Sequence, residues 1–225
     1  EPHPVLHTVE HYCSCNNITH SFVKITDTGA VDYADLEMQL KEVTEAGKKC
    51  LVSLMHANNE IGVLLSIKKV GELCQTYGAI FHSDCVQTVG HYPIDLSKLG
   101  VHFISPASHN LHGPKGVGVL YVSDDVTIKP FIFGGGQERN MRAGTENVYG
   151  IVGFARALEI SMRDYEKESQ YIKDLKGYMK ERLQEAIPGV GFNDCPESLY
   201  TVLSVCFPKT EKSDFLLMSL DMANI

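Results

Sequence analysis

Short apolar runs alternate with stretches of helical period along the first 150 residues. "CLVSLMH" (50–56), "AIFHSD" (79–84) and "VHFIS" (101–105) are compact and rich in Val, Ile and Phe, which predicts three buried strands. Between the first two lies "SIKKVGELCQTYG" (66–78). Its Ile67, Val70, Leu73 and Cys74 recur at three- and four-residue steps and Gly78 follows as a stop, so a helix is expected. Further upstream, "HSFVKIT" (20–26) reads as a strand. "VDYADLEMQLKEV" (31–43) reads as a helix capped by Asp32, with Leu36 and Leu40 on one face. Strands alternating with helices require crossover connections, and hence an α/β fold with a mainly parallel sheet.

After Gly150 the period lengthens. Ile151, Ala155, Leu158, Met162 and Tyr165, then Ile172, Leu175, Met179 and Leu183, trace one long amphipathic helix that ends at "IPG", with a bend placed near Ser169. "LYTVLSVCF" (199–207) follows as a strand and "SDFLLMSLDM" (213–222) as a helix capped by Ser213 or Asp214. A boundary between Gly150 and Ser161 divides the chain into a large domain, 1–150, and a linking helix with part of a smaller one, 151–225. The chain opens on Glu1 almost directly into helix-like sequence and stops at "SLDMANI" without a capping signal, so it reads as an excerpt of a longer protein.

Composition narrows the function classes. A chain of 225 residues with 44% hydrophobic composition buries a real core, and a formal net charge of -8 disfavours a nucleic-acid backbone as partner. The apolar runs are strand-sized, far short of the roughly 20 residues that a helical membrane span requires. Seven cysteines, an odd number without framework spacing, fit reduced thiols and a cytoplasmic location; Cys50, Cys74 and Cys206 fall in apolar stretches and read as core. His11, Cys13, Cys15 and His20 lack the second paired half of a zinc site, so no metal is expected.

The chemistry gathers where the strands end. In open parallel sheets, ligands sit outside the carboxyl ends of the strands. Those ends carry Asn58 and Asn59 in "HANNEIG", Asp84 and Gln87 in "HSDCVQT", and Ser108, His109 and Asn110 in "SHNLHGPKGVGVLYV". An Asp ending a strand is commonly a helix cap. Polar groups on three neighbouring strand ends point instead to a shared ligand, and a partly desolvated carboxylate there needs a donor such as a heteroaromatic N–H. Gln87 stands where it could reach a ring hydroxyl, and Asn59 the same oxygen or a substrate carboxylate. "FGGGQERNMRAGTEN" (133–147) adds close-approach glycines, Arg139, Arg142 and Thr145, suited to a phosphate or carboxylate or, more plainly, to an exposed loop.

Four ordered segments, "HANNEIGVLL", "HSDCVQTVGH", "SHNLHGPKGVGVLYV" and "GGGQERNMRAGTEN", resemble the NifS-like cysteine desulfurases and their selenocysteine lyase relatives across nearly the whole chain. The resemblance implies a fold type I, class V aminotransferase architecture: a mainly parallel sheet flanked by helices, plus part of a smaller α+β C-terminal domain. It implies pyridoxal 5′-phosphate as cofactor and a homodimer that takes sulfur from cysteine, leaving alanine and an enzyme persulfide for iron-sulfur assembly or another sulfur acceptor. Asp84 then resembles the partner of the pyridine nitrogen and Gln87 the contact to the ring hydroxyl. Asn59 resembles a residue near ring and substrate, and His109 a phosphate ligand. Thr145 resembles the threonine that reaches the cofactor phosphate of the opposite subunit.

The sequence departs from that family at telling positions. The family pattern Ser-x-His-Lys stands here as Ala107-Ser108-His109-Asn110, so the lysine that binds the cofactor covalently is replaced by Asn110. An amide nitrogen has a delocalised lone pair and forms no Schiff base, so any cofactor would be held non-covalently. Lys115 in "GPKG" belongs to the family pattern as a separate lysine and is no substitute. Pro2 occupies the place of the histidine that stacks on the ring, with His3 one position out of register and Pro4 beyond it. The glycine and threonine turn before this region, and the nucleophilic cysteine loop and substrate-binding arginine after it, fall outside the chain. Cys85 follows Asp84 and by strand alternation points the other way, into the core. Two readings result: an impaired or incomplete enzyme of this family, with selenocysteine lyase as the variant activity, or an inactive homologue that binds the cofactor or a partner subunit without chemistry.

Overall fold

A computed structural model describes residues 3–193, 195, 197–211 and 213–225. Helix α1 (His3–Cys15) leads into α2 (Tyr33–Glu45), followed by β1 (Leu51–Ser53), α3 (Ile67–Thr76), β2 (Ile80–Asp84), β3 (Phe103–Ser105) and β4 (Tyr121–Val122). The sheet order is β1-β2-β3-β4, with the first three strands parallel and β4 antiparallel at the edge. Asp32 caps α2 by accepting hydrogen bonds from the Ala34 and Asp35 amides, as the sequence predicts, and Ser66 caps α3 by accepting from Lys69 N.

The core lies on one face of this sheet. Val52, Phe81, Cys85 and Ile104 pack with Leu36 and Leu40 of α2 and Val70 and Cys74 of α3. Phe81 has no exposed surface. Gly71 lets α3 approach the turn before β3, because a β-carbon there would overlap the Leu99 carbonyl oxygen. Alternation sends Ser53, His82, Asp84 and Ser105 to the opposite face, where all four are half-buried.

Downstream, α4 (Val148–Ala186) runs 39 residues from an Asn147 cap. It continues unbroken through Ser169, whose hydroxyl donates to the Glu166 carbonyl. Near its start α4 packs against a 3-10 turn, Ser108–Leu111, and Ser161 further along donates to the Gly90 carbonyl. A two-stranded antiparallel sheet, β5 (Gly191–Phe192) with β6 (Val205–Cys206), and α5 (Leu216–Met222) complete the chain.

Three expectations from the pattern are corrected. "HSFVKIT" is no strand: it makes only the Ile25–Val31 bridge, because the Lys24 amide donates to the Asp35 carboxylate, tying this segment to α2 instead of a ladder. In "LYTVLSVCF" only Val205 and Cys206 are strand. Its apolar start is used differently: Leu199 and Tyr200 are buried beneath the loop after β1, with Leu199 N donating to the Gly62 carbonyl, and Cys206 is exposed rather than core. Finally, α5 begins at Leu216 after a 3-10 turn, and Ser213 bonds the Thr210 amide instead of capping the helix.

Candidate functional site

The parallel ladder extends past the strand ends, and this builds the rim. Leu54 N donates to the His82 carbonyl and His56 N to the Asp84 carbonyl, so the segment after β1 runs beside the end of β2. The Cys85 amide donates to the Ser105 carbonyl on the other side. Three chain segments are thereby clamped around Asp84. Its Oδ1 accepts from Val86 N at 2.9 Å, a turn local to the strand end. Its other carboxylate oxygen has no hydrogen-bond partner among the described residues, although the side chain is half-buried. Gln87, also half-buried, makes no hydrogen bond among them either.

Asn110 is tied into the same place. Its side-chain nitrogen donates to the carbonyl of Val86, the residue before Gln87, at 3.0 Å, and its main-chain carbonyl accepts from His91 Nε2 at 2.9 Å. The Tyr200 hydroxyl in turn donates to the His91 carbonyl, fixing the ring from the segment after α4. Burial pushes the Tyr200 phenol up to about 12, so it stays a donor. Asp84 and Asn110 are therefore each one hydrogen bond from Val86, and Gln87 is its chain neighbour.

The other predicted residues stand apart from this cluster in their bonding. Asn59 is exposed on the turn after β1 and makes no hydrogen bond among the described residues, while Asn58 before it holds the turn by accepting from the Glu60 and Ile61 amides. His109 is exposed. Thr145 is exposed at a separate cleft of about 330 Å³, shared with Gly116, Gly118, Glu138 and Arg142. Arg142 is occupied there by Glu138 at 3.4 Å and the Gly144 carbonyl at 3.1 Å. Arg139 is exposed, with a left-handed backbone at φ 56°. Pro2 lies outside the described residues, and Pro4 sits in the first turn of α1.

Several groups at this edge escape sequence reasoning. His82 bridges all three parallel strands, with Nδ1 2.9 Å from Ser53 Oγ and Nε2 3.1 Å from Ser105 Oγ. Burial lowers its pKa while the neighbouring Asp84 charge opposes that shift. His56 Nδ1 meets Thr88 Oγ1 at 2.8 Å, and burial pushes its pKa down to about 4, keeping the ring neutral. Ser108, fully buried, has no hydrogen-bond partner for its hydroxyl, which lies against Gly113. Only the two-residue spacing of His82 and Asp84 hinted at a shared face. Cys85 is buried as expected, and burial raises its thiol to about 11, which leaves it protonated and a poor nucleophile.

A family model described as aminotransferase class V matches residues 1–225. The chain belongs to this family. Among curated relatives it is 36% identical to cysteine desulfurase IscS of Clostridium botulinum, over 100% of this chain and 56% of the relative. To the putative cysteine desulfurase IscS 1 of Bacillus subtilis it is 37% identical, over 100% of this chain and 58% of the relative. A solved NifS-like protein superimposes with a TM-score of 0.89 at 36% identity, covering 100% of this chain and 60% of that one. The chain thus spans a little over half the length of the curated relatives it matches. The α/β architecture, with its mixed, mainly parallel sheet and flanking helices, agrees with the fold type I expectation.

Proposed function

We propose that this chain is the cofactor-holding part of a cysteine desulfurase-type protein that binds pyridoxal 5′-phosphate without a covalent link and is impaired in desulfuration. The observation that carries this reading is the Asn110 side chain, which stands at the position of the family lysine and is tied to the Val86 carbonyl. The donor set fits the cofactor: a free carboxylate oxygen on Asp84 suits a protonated ring nitrogen, and the unpaired Gln87 amide suits a ring hydroxyl. When bound, pyridoxal phosphate supplies an electron sink that labilises bonds at the α-carbon of an amino acid. Asp84 would hold the ring proton, Gln87 would orient the ring, and His82 with Ser53 and Ser105 would keep the three strand ends in register beneath it. Asn110 contributes neither an amine nor a proton-transfer base, and general acid–base groups are commonly worth 10²–10⁴-fold in rate.

In this reading residues 1–150 form the cofactor domain and 151–225 the linking helix and part of a small domain. Asn59 and His109 serve substrate and phosphate, and Thr145 reaches the cofactor of the other subunit in a cytoplasmic homodimer. Cysteine would be the substrate class, selenocysteine the alternative, and a sulfur acceptor or iron-sulfur scaffold the partner. An inactive cofactor-binding homologue is the second reading, favoured by the same Asn110.

Alanine and sulfide release from cysteine, assayed with added pyridoxal phosphate, tests the proposal. Bound cofactor that dialyses away, with turnover indistinguishable from an Asp84→Ala control, fits the inactive limit. Weak turnover above that control fits an impaired enzyme. Cofactor that resists dialysis and reduces onto a lysine overturns non-covalent binding.

A further inference from the structure

We propose that this site selects the amine form of the cofactor, pyridoxamine 5′-phosphate, over the aldehyde form; the inference rests on the cofactor reading above. The Val86 carbonyl only accepts, so the Asn110 amide nitrogen must face it with one of its two N–H groups, and this leaves the side-chain oxygen free beside the second N–H. That oxygen has no hydrogen-bond partner among the described residues. It presents lone pairs and no proton at the position where the family presents an amine.

An aldehyde presents only lone pairs, so the Asn110 oxygen has nothing to accept from it, and the remaining amide N–H gives it at most one uncharged hydrogen bond. An aminomethyl group carries an ammonium with three donors and no acceptor, the complement of what the Asn110 oxygen offers. Reach agrees with charge. The asparagine side chain ends three covalent bonds short of where a lysine would join the cofactor, and a C–N bond of about 1.5 Å plus a charge-assisted hydrogen bond of about 2.8 Å spans a comparable gap. Asp84 and Gln87 address ring positions that both forms share, so they do not discriminate. Asn110 alone separates the two vitamers.

The test is equilibrium dialysis of the full chain, in amine-free buffer, against three probes: pyridoxamine 5′-phosphate, pyridoxal 5′-phosphate and 4-deoxypyridoxine 5′-phosphate, which carries a methyl group at the discriminating carbon. One hydrogen bond to a charged group corresponds to at least about tenfold in Kd, so pyridoxamine phosphate is expected to bind at least about tenfold tighter than the other two. Asn110→Leu, or Asn110→Ala if the leucine variant does not fold, should bring pyridoxamine phosphate level with the methyl analogue. If the methyl analogue or the aldehyde binds as tightly as the amine to the unaltered protein, the selection is refuted while the cofactor reading stands. Retention of the preference in both variants also refutes it. If none of the three binds, the cofactor reading fails and the selection falls with it.

Discussion

Replacing Asn110 with lysine restores the amine where the family has it, and the structure sets the size of the response. Asn110→Lys removes the 3.0 Å hydrogen bond to the Val86 carbonyl. Water can reach this half-buried position, so the loss should be the net value of one hydrogen bond, about 1 kcal/mol. For a domain of this size that lowers Tm by about 2–4 °C. The half-buried setting lowers the pKa of the introduced amine and so enlarges its neutral, nucleophilic fraction. Added pyridoxal phosphate then condenses with it, releasing one water and giving a visible imine band. At a hundredfold excess over Kd, binding stabilises the folded state by about 2.7 kcal/mol, more than the hydrogen bond that was lost, so the loaded variant should melt above the unaltered protein without cofactor. Borohydride reduction followed by peptide mass spectrometry locates the adduct. A variant that keeps the circular dichroism spectrum of the parent but is labelled only at other lysines, such as Lys115, would refute the placement of position 110 beside the cofactor.

Further consequences concern the frame that carries the site. Phe81→Ala empties the centre of the sheet's buried face and should cost about 3–5 kcal/mol in urea unfolding; a loss below 1 kcal/mol would show that the core is elsewhere. Gly71→Ala drives a β-carbon into the Leu99 carbonyl and should destabilise by roughly 1–3 kcal/mol, whereas a neutral result would mean that α3 does not approach that turn. His56 has a folded pKa near 4 against an ordinary value of 6.5, so below 6.5 the unfolded chain binds the extra proton. Its contribution, on the order of 3 kcal/mol, is complete above pH 6.5 and is lost as pH falls from there towards 4. Urea midpoints across that window should fall less steeply in His56→Gln, and parallel slopes would contradict the burial of the ring.

The parts of this fold legible in the sequence were those governed by local chemistry. Asp32 stands at a helix start because a short acceptor side chain satisfies free amides there, and the periods of 31–43 and 66–78 each offered one face to a sheet. The strands at 80–84 and 103–105 were visible because each opens on a branched or aromatic pair, Ile80 with Phe81 and Phe103 with Ile104. Residues 20–26 misled because Phe22 and Ile25 stay exposed while the Lys24 amide ties the segment to α2, and 199–204 because Leu199 and Tyr200 are buried beneath the loop after β1. At the site, the strand-end rule singled out Asp84, Gln87 and Asn110. It could not supply the His82 bridge, which depends on Ser53 pairing with His82 and Asp84 with Ser105, a register set by tertiary packing. Nor could it show that Asn110 is bound to Val86, since that bond joins residues 24 apart in sequence.

The central claim is that the carboxyl edge around Val86 grips a pyridoxal-type cofactor with no covalent hook. A crystal structure of the protein soaked with pyridoxal 5′-phosphate tests it most directly. The account predicts density for one ring whose nitrogen lies within hydrogen-bond distance of Asp84, with no density joining it to any lysine. Density continuous with Lys115 or another lysine, or a ring bound away from Asp84, would contradict it.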